Sequence, residues 1–481
     1  MSYKKIFHSY GHIIIAVILF AAVKLFVHPA AGLTEIGVNV LAVLLPVLYL
    51  WLTVGTDWVS LFALAGVVMT GVLTPESVYG ASMGSTTIII VLTCMGINKV
   101  LSDTGVIKKI SHWFLTRNIV RNRPYAFIAM FLLAVTLLGL FLEVATLSII
   151  FITLAKEVCE EIGYKKGDPF YTALILGIFW LGNVTNAATP ICHAVPLIII
   201  GTAAASGIQI SYTQYMTIGL PFAIIMYLLV LLIICVIWRP EASKYQKYNL
   251  DAAREKKIPF SREGIIATVL FIALIAVWVV PEVFPMILPE SLKTVLSTWG
   301  NTVPAIIVMC LLCVIRVGDK PIGKFSEMAS AAPMSLLVFI GAVTVLGSAV
   351  SSPESGISTA LNHVLEPLTS SLSITVLVGL GVLMCLVMTN FVSNVVSMLL
   401  FFGLVIPVIA GTGVSQISVT VIICLVANFA SLVPSAAVTA PLFFGPGHIT
   451  VRNALKWNLI AIALCFVVCM AVLYPLGNVL L

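Results

Sequence analysis

Residues 389–407, TNFVSNVVSMLLFFGLVIP, set Thr389, Asn390, Ser393, Asn394 and Ser397 among valine, phenylalanine and methionine. Polar side chains in such a run can complete an anion site. A helix start offers free N–H groups and the positive end of a dipole, and serine and asparagine add donors. Freed carbonyls at the same turn can hold a cation. Ser393, Asn394 and Val395 are therefore candidate substrate contacts, and Asn394 is also a candidate sodium ligand. The competing use is hydrogen bonding between packed membrane helices, which is common. A second run, LFLEVATLSIIFITL (140–154), has Glu143 at the corresponding point, followed by Val144, Ala145 and Thr146. A charged group at mid-membrane costs about 2.5–3.5 kcal/mol even on generous scales, so an idle one is not expected. Glu143 is a candidate coupling residue or sodium ligand, and Thr146 a substrate contact; a structural bond from a neutral carboxyl is the alternative.

Two further interruptions are proline-centred. LGNVTNAATPICHAVPL (181–197) arranges Asn183, Thr185, Asn186, Thr189 and His193 around Pro190. NFASLVPSAAVTAPL (428–442) arranges Asn428, Ser431, Ser435 and Thr439 around Pro434. Proline removes a backbone bond and kinks a helix, and small polar residues then satisfy the freed groups or a ligand. Thr189, His193 and Ser435 are candidates for substrate, and Asn183, Asn186 and Ser431 for the coupling ion. His193 is equally well read as a packed neutral histidine. Cys310 and Cys313 form a C-x-x-C inside an apolar helix with no further ligand cluster, which favours plain packing over zinc or redox chemistry. No H-E-x-x-H or G-x-S-x-G motif is present, so an enzyme is not expected, nor is any cofactor beyond sodium or a proton.

The elements that must hold these residues follow from composition. Of 481 residues, 60% are hydrophobic and 9% charged, which no soluble globular chain matches. The expectation is an all-α polytopic membrane protein with about 11 spanning helices of roughly 20 residues each. The +6 net charge belongs to cytoplasmic loops, which carry the excess of Lys and Arg, and implies no nucleic-acid partner; lipid is the surrounding one. The start MSYKK is basic and is placed inside, and the segment LSDTGVIKKISHWFLTRNIVRNRP reads as an amphipathic helix on the inner surface. Keeping the lysines of AKEVCEEIGYKKGDP inside requires 125–157 to be a re-entrant hairpin that enters and leaves from the cytoplasm. A broken helix, 169–200, then crosses outward. The loop 239–264, with seven Lys or Arg against four acids, divides a first half (1–238) from a second (265–481). In the second half 371–407 is a hairpin from outside, 417–445 a broken helix, and the C-terminus lies outside. Two hairpins of opposite orientation, each followed by a broken helix, constitute an inverted-topology repeat of the kind found in secondary transporters. Hairpin backbone at membrane depth must be buried in protein or line a cavity.

This order of parts resembles the divalent-anion:sodium symporters of the ion transporter superfamily. Local matches are GINKVLSDTGVIKKISHWFL before the first hairpin and NFVSNVVSMLLFFGLVIP at the second. The resemblance implies scaffold and elevator-type transport domains, a homodimer in the cytoplasmic membrane, and di- or tricarboxylates or sulfate as substrates. It also implies a Ser-Asn-Thr at each hairpin tip, with sodium beside the tips. This chain keeps Ser393 and Asn394 but has Val395 where the family has threonine. Its first tip reads Glu143-Val144-Ala145, and its helix breaks read TPICHAVP and PSAAVTAP.

An ionised Glu143 about 5 Å from a substrate carboxylate would be repelled by roughly 3 kcal/mol at an effective dielectric near 20. Three arrangements escape this. Glu143 is protonated when substrate binds, or it holds a cation, or the substrate has a neutral or cationic end there. The expected function is secondary active transport of small organic anions, carboxylates above all, coupled to sodium or protons. The alternatives are a proton or sodium antiporter of the same superfamily and an exchanger for a monocarboxylate or zwitterion.

Overall fold

The computed structural model describes residues 3–191, 193–248, 250–255, 261–283, 288–357, 359–360, 363, 372–433, 437, 439–444 and 446–481. These residues are helical apart from turns and one small β-hairpin. That hairpin pairs Arg316–Val317 with Lys320–Pro321, a minor departure from the all-α expectation. Gly318, at φ 65°, opens its two-residue turn. Among the described residues six helices can cross a membrane by length and composition, including Pro169–Ala188, Met334–Ser351 and Val451–Leu480, and shorter apolar helices accompany them. The helix Asp57–Thr70 stops short, and a separate helix follows at Pro75–Met83. Thr74 caps that helix, its hydroxyl accepting from the Ser77 amide, and Pro75 takes the first position, where a missing N–H costs nothing.

At each expected hairpin position two helices are joined by a short turn. The first has arms Pro124–Gly139 and Val144–Ile162, the second Ile374–Thr389 and Asn394–Ile409. Their turns match residue for residue: Leu140 corresponds to Asn390, Glu143 to Ser393 and Val144 to Asn394. The first broken helix runs Pro169–Ala188 and resumes at Ala194–Ala205. It stops where Pro190 dictates, because a residue before proline is driven out of the helical region. Thr189 accordingly has φ −134° and ψ 145°. The second runs Gln416–Asn428 and is followed by the short helix Ala440–Phe444.

Pro169–Ala188 carries Thr172, Asn183, Thr185 and Asn186 among its apolar residues and is 94% buried, whereas the more apolar Arg262–Pro281 is only 28% buried. Polar side chains at membrane depth face protein rather than lipid, so the first broken helix is the centre of the molecule, and the more apolar Arg262–Pro281 lies at its periphery. Around the centre pack both arms of the first hairpin, the helix Tyr212–Leu231 and the second broken helix, which in turn carries the second hairpin. A separate group joins Tyr3–Phe26, Glu35–Thr53, Asp57–Thr70 and Met334–Ser351. The segment Ala194–Ala205 touches both groups, packing on Met334–Ser351 and on Gln416–Asn428.

The approach of Tyr212–Leu231 to the first break requires a glycine. A Cβ on Gly219 would lie 1.9 Å from the Ala188 carbonyl oxygen, a backbone atom that cannot step aside. One turn away, the Tyr215 hydroxyl donates to the Ala187 carbonyl at 2.7 Å, satisfying an acceptor that the break frees. Gly219→Ala is therefore expected to destabilise the protein by about 1–3 kcal/mol through overpacking, read as a lowered melting temperature in detergent. An unchanged melting temperature would show that the break has room to shift.

Candidate functional site

At the first hairpin tip Glu143 is the N-cap of Val144–Ile162, and its side chain is already engaged. Oε2 accepts the Ala145 amide at 2.9 Å and the Thr146 amide at 3.1 Å. These donors are the free N–H groups that every helix start leaves over. Thr146 thus contributes its amide to Glu143. Thr189, at the first break and 1% exposed, donates its hydroxyl to the Leu140 carbonyl at 2.6 Å. His193 is equally buried and caps Ala194–Ala205 without a side-chain bond. Its ring lies against the carbonyls of Gly139 and Leu140, yet neither nitrogen has a hydrogen-bond partner among the described residues.

The second tip has the same shape and the opposite occupancy. Ser393 is the N-cap of Asn394–Ile409, but its side chain makes no capping bond and is exposed. Among the described residues no acceptor meets the amides of Asn394, Val395 and Val396. Asn394 Oδ1 accepts from the Thr389 hydroxyl at 3.1 Å, and that hydroxyl also donates to the Ala427 carbonyl. Val395 is half-buried and offers only its amide. Asn390 ties this tip to the second break: its Oδ1 accepts the Ser431 amide at 3.0 Å and the Leu432 amide at 2.9 Å, while Nδ2 donates to the Leu386 carbonyl at 2.8 Å.

The two breaks face each other. Asn183 Nδ2 donates to the Ala430 carbonyl at 2.9 Å, and Asn186 Nδ2 to Asn428 Oδ1 at 3.2 Å. Asn458 extends the network, donating to the Ser431 carbonyl at 2.6 Å and accepting from Trp180 Nε1 at 2.8 Å. Ser431 itself is fully buried with its hydroxyl unpartnered among the described residues. Hydrogen bonds therefore tie each tip to its break and the two broken helices to each other.

Of the residues singled out from sequence, Glu143, Thr146 and Thr189 gather at the first tip, with His193 against it. Ser393, Asn394, Val395 and Ser431 gather at the second, and Asn183 and Asn186 join the two breaks. Ser435 lies outside the described residues. Residue pattern alone assigns no site role to Asn390, Asn458 or Trp180, although a lone asparagine in an apolar span, as in KWNLIAIAL, is itself a signal. Among the described residues no three His, Cys, Asp or Glu side chains converge as a metal cluster, and Cys310 and Cys313 are free thiols.

At the base of the first hairpin, in the loop before Pro169, Asp168 accepts the Lys165 amide at 3.0 Å and Lys244 Nζ at 3.2 Å. The Lys165 amide first and Lys244 second hold its carboxyl below the usual aspartate range. His448 accompanies Tyr171, Nδ1 to hydroxyl 2.5 Å; burial first, then Lys166 and Lys156, lowers its affinity for a proton. The basic loop is fastened beside them, with Arg121 Nη2 2.6 Å from Asp251 and Tyr245 donating to the Val120 carbonyl.

Residues 46–417 match the citrate transporter (CitMHS) family, most of the chain. The chain belongs to that family. It is 24% identical over 362 residues to the sodium-dependent dicarboxylate transporter SdcS of Staphylococcus saprophyticus, covering 72% of this chain and 68% of that one. It is 22% identical to an uncharacterized transporter of Haemophilus influenzae, over 66% of this chain and 65% of the relative. Its fold is similar to that of the Alcanivorax borkumensis YdaH transporter, with TM-score 0.56 and 14% identity, covering 82% of this chain and 86% of the other. Membership of a transporter family agrees with the expectation that the chain is not an enzyme, and makes it a multi-pass membrane protein that carries a small anion.

Proposed function

We propose that this chain is a secondary active transporter of small organic carboxylates, and that the second hairpin tip receives a substrate carboxylate. The observation that carries the reading is the uncapped start of Asn394–Ile409. The amides of Asn394, Val395 and Val396 and the exposed Ser393 hydroxyl face no protein acceptor among the described residues, and the positive end of the helix dipole favours an anion there. The sodium dependence and dicarboxylate specificity of one relative support the same class. Uptake is coupled to sodium or protons. Glu143 is the charged group at the first tip, where a cationic group is received, and Asn183, Asn186 and Ser431, between the tips, are the candidates for the driving ion.

The hairpins are re-entrant and oppositely oriented, and the molecule works as a homodimeric elevator. The moving part comprises the hairpins and broken helices, and the static part the helices around Glu35–Thr53 and Met334–Ser351. The grouping of contacts supports this division, with Ala194–Ala205 as the link. The N-terminus is inside, the C-terminus outside, and the membrane is the cytoplasmic one. The experiment is uptake of labelled mono-, di- and tricarboxylates into proteoliposomes under an imposed sodium or pH gradient. Accumulation of one carboxylate class above equilibrium is expected. Ion flux without any carboxylate dependence would favour an antiporter and overturn the reading.

A further inference from the structure

Resting on the carboxylate reading just given, the geometry points to a narrower substrate: we propose a zwitterion, with one carboxylate at the second tip and an ammonium group at Glu143. The two tips are built alike, and a symmetric pair of anion cradles would take a dicarboxylate. This pair is not symmetric in charge. The Glu143 carboxylate occupies the amides of Ala145 and Thr146 at 2.9 and 3.1 Å, which are the donors a second substrate carboxylate would need. The protein supplies that anion itself, covalently attached. A second substrate carboxylate at this end would lose both donors and meet a like charge. At about 5 Å and an effective dielectric near 20, that repulsion weakens binding on the order of a hundredfold.

The rest of the first tip indicates what should come instead. Glu143 Oε1 has no hydrogen-bond partner among the described residues, and the carboxylate makes no ion pair among them. An unpaired carboxylate at membrane depth calls for a cation. Independent signs of a ligand stand at both tips. The two nitrogens of His193, 1% exposed, and the hydroxyl of Ser431, 0% exposed, are buried polar groups with no partner among the described residues. Such orphans are rare where nothing binds. An ω-amino carboxylate whose length matches the spacing of the tips satisfies both ends, ammonium at Glu143 and carboxylate at the amides of Asn394 and Val395, and the three chain lengths tested below read that spacing.

The test is thermal stabilisation of the purified full-length protein by β-alanine, 4-aminobutyrate and 5-aminovalerate. Monocarboxylates and dicarboxylates of the same chain lengths are run beside them, in choline and in sodium. One amino carboxylate is expected to bind at least about tenfold tighter than its two matched partners without needing sodium. Glu143→Gln keeps an oxygen for the two amides, and in it that preference over the monocarboxylate is expected to vanish. Tightest binding of a dicarboxylate overturns the zwitterion and leaves the carboxylate reading standing. So does a monocarboxylate that, with sodium, matches the amino carboxylate, since Glu143 then holds the ion. If none of the three classes binds in either salt, the carboxylate reading falls and the zwitterion with it. Should Glu143→Gln fail to fold, the ranking in the wild-type protein alone decides.

Discussion

Replacing Ser393 by glutamate is expected to leave the protein folded and to weaken carboxylate binding on the order of a hundredfold. Ser393 occupies the position at the second tip that Glu143 occupies at the first, and both are N-caps. A glutamate there can fold onto the amides of Val395 and Val396 as Glu143 does onto those of Ala145 and Thr146. An acidic group at a helix start is worth about 0.3–1 kcal/mol, so stability should hold or rise slightly. The substrate, however, loses its donors and meets a charge whose repulsion is roughly 3 kcal/mol at 5 Å. Titration by thermal shift separates the two effects, because the ligand-free melting temperature reports the fold and the ligand-induced rise reports the site. A variant that binds carboxylates as tightly as the parent would mean that the second tip does not receive them.

Asn390→Ala carries the largest expected loss of stability. Its side chain satisfies the amides of Ser431 and Leu432 and adds a bond to the Leu386 carbonyl. Truncation leaves two N–H groups without acceptors at the break, each costing about 1–3 kcal/mol. A loss of about 2–6 kcal/mol is expected from these two groups, together with loss of transport, since the tip is no longer held to the break. Asn390→Asp keeps the acceptor and should lose less. The check is a denaturation curve and an uptake assay on the same preparations. If Asn390→Ala transports normally, the tip is positioned by packing alone.

Much of this was legible in the sequence, and the reason differs from residue to residue. The first break could be read directly, because Pro190 dictates where Pro169–Ala188 must end. The helix pair Pro124–Gly139 and Val144–Ile162 could be expected from lysines that one continuous span would put on the wrong side. Thr74-Pro75 signalled the start of a helix that a hydropathy reading folds into its neighbour. What Glu143 does with its carboxylate could not be read, since a composition argument sees a charge in a membrane and cannot see its side chain turned back onto its own helix. Asn458 was hidden for another reason. Its partners, Trp180 and the Ser431 carbonyl, are far away in sequence, and only the packing of Val451–Val468 brings them together.

The bonds that join tips to breaks also restrict how the molecule can move. Thr189 to Leu140 on one side, and Asn390 to Ser431 and Leu432 on the other, rivet each hairpin to the helix behind it. For the second tip to swing open as a flap, both bonds accepted by Asn390 must be given up. At about 1–1.5 kcal/mol net each, that leaves the open flap on the order of a few per cent of molecules or fewer. Labels placed on Phe391 and on Val451–Val468, which shares the Asn458–Ser431 bond, should therefore keep a constant separation through the transport cycle. The large changes in distance should appear instead between either label and Glu35–Thr53.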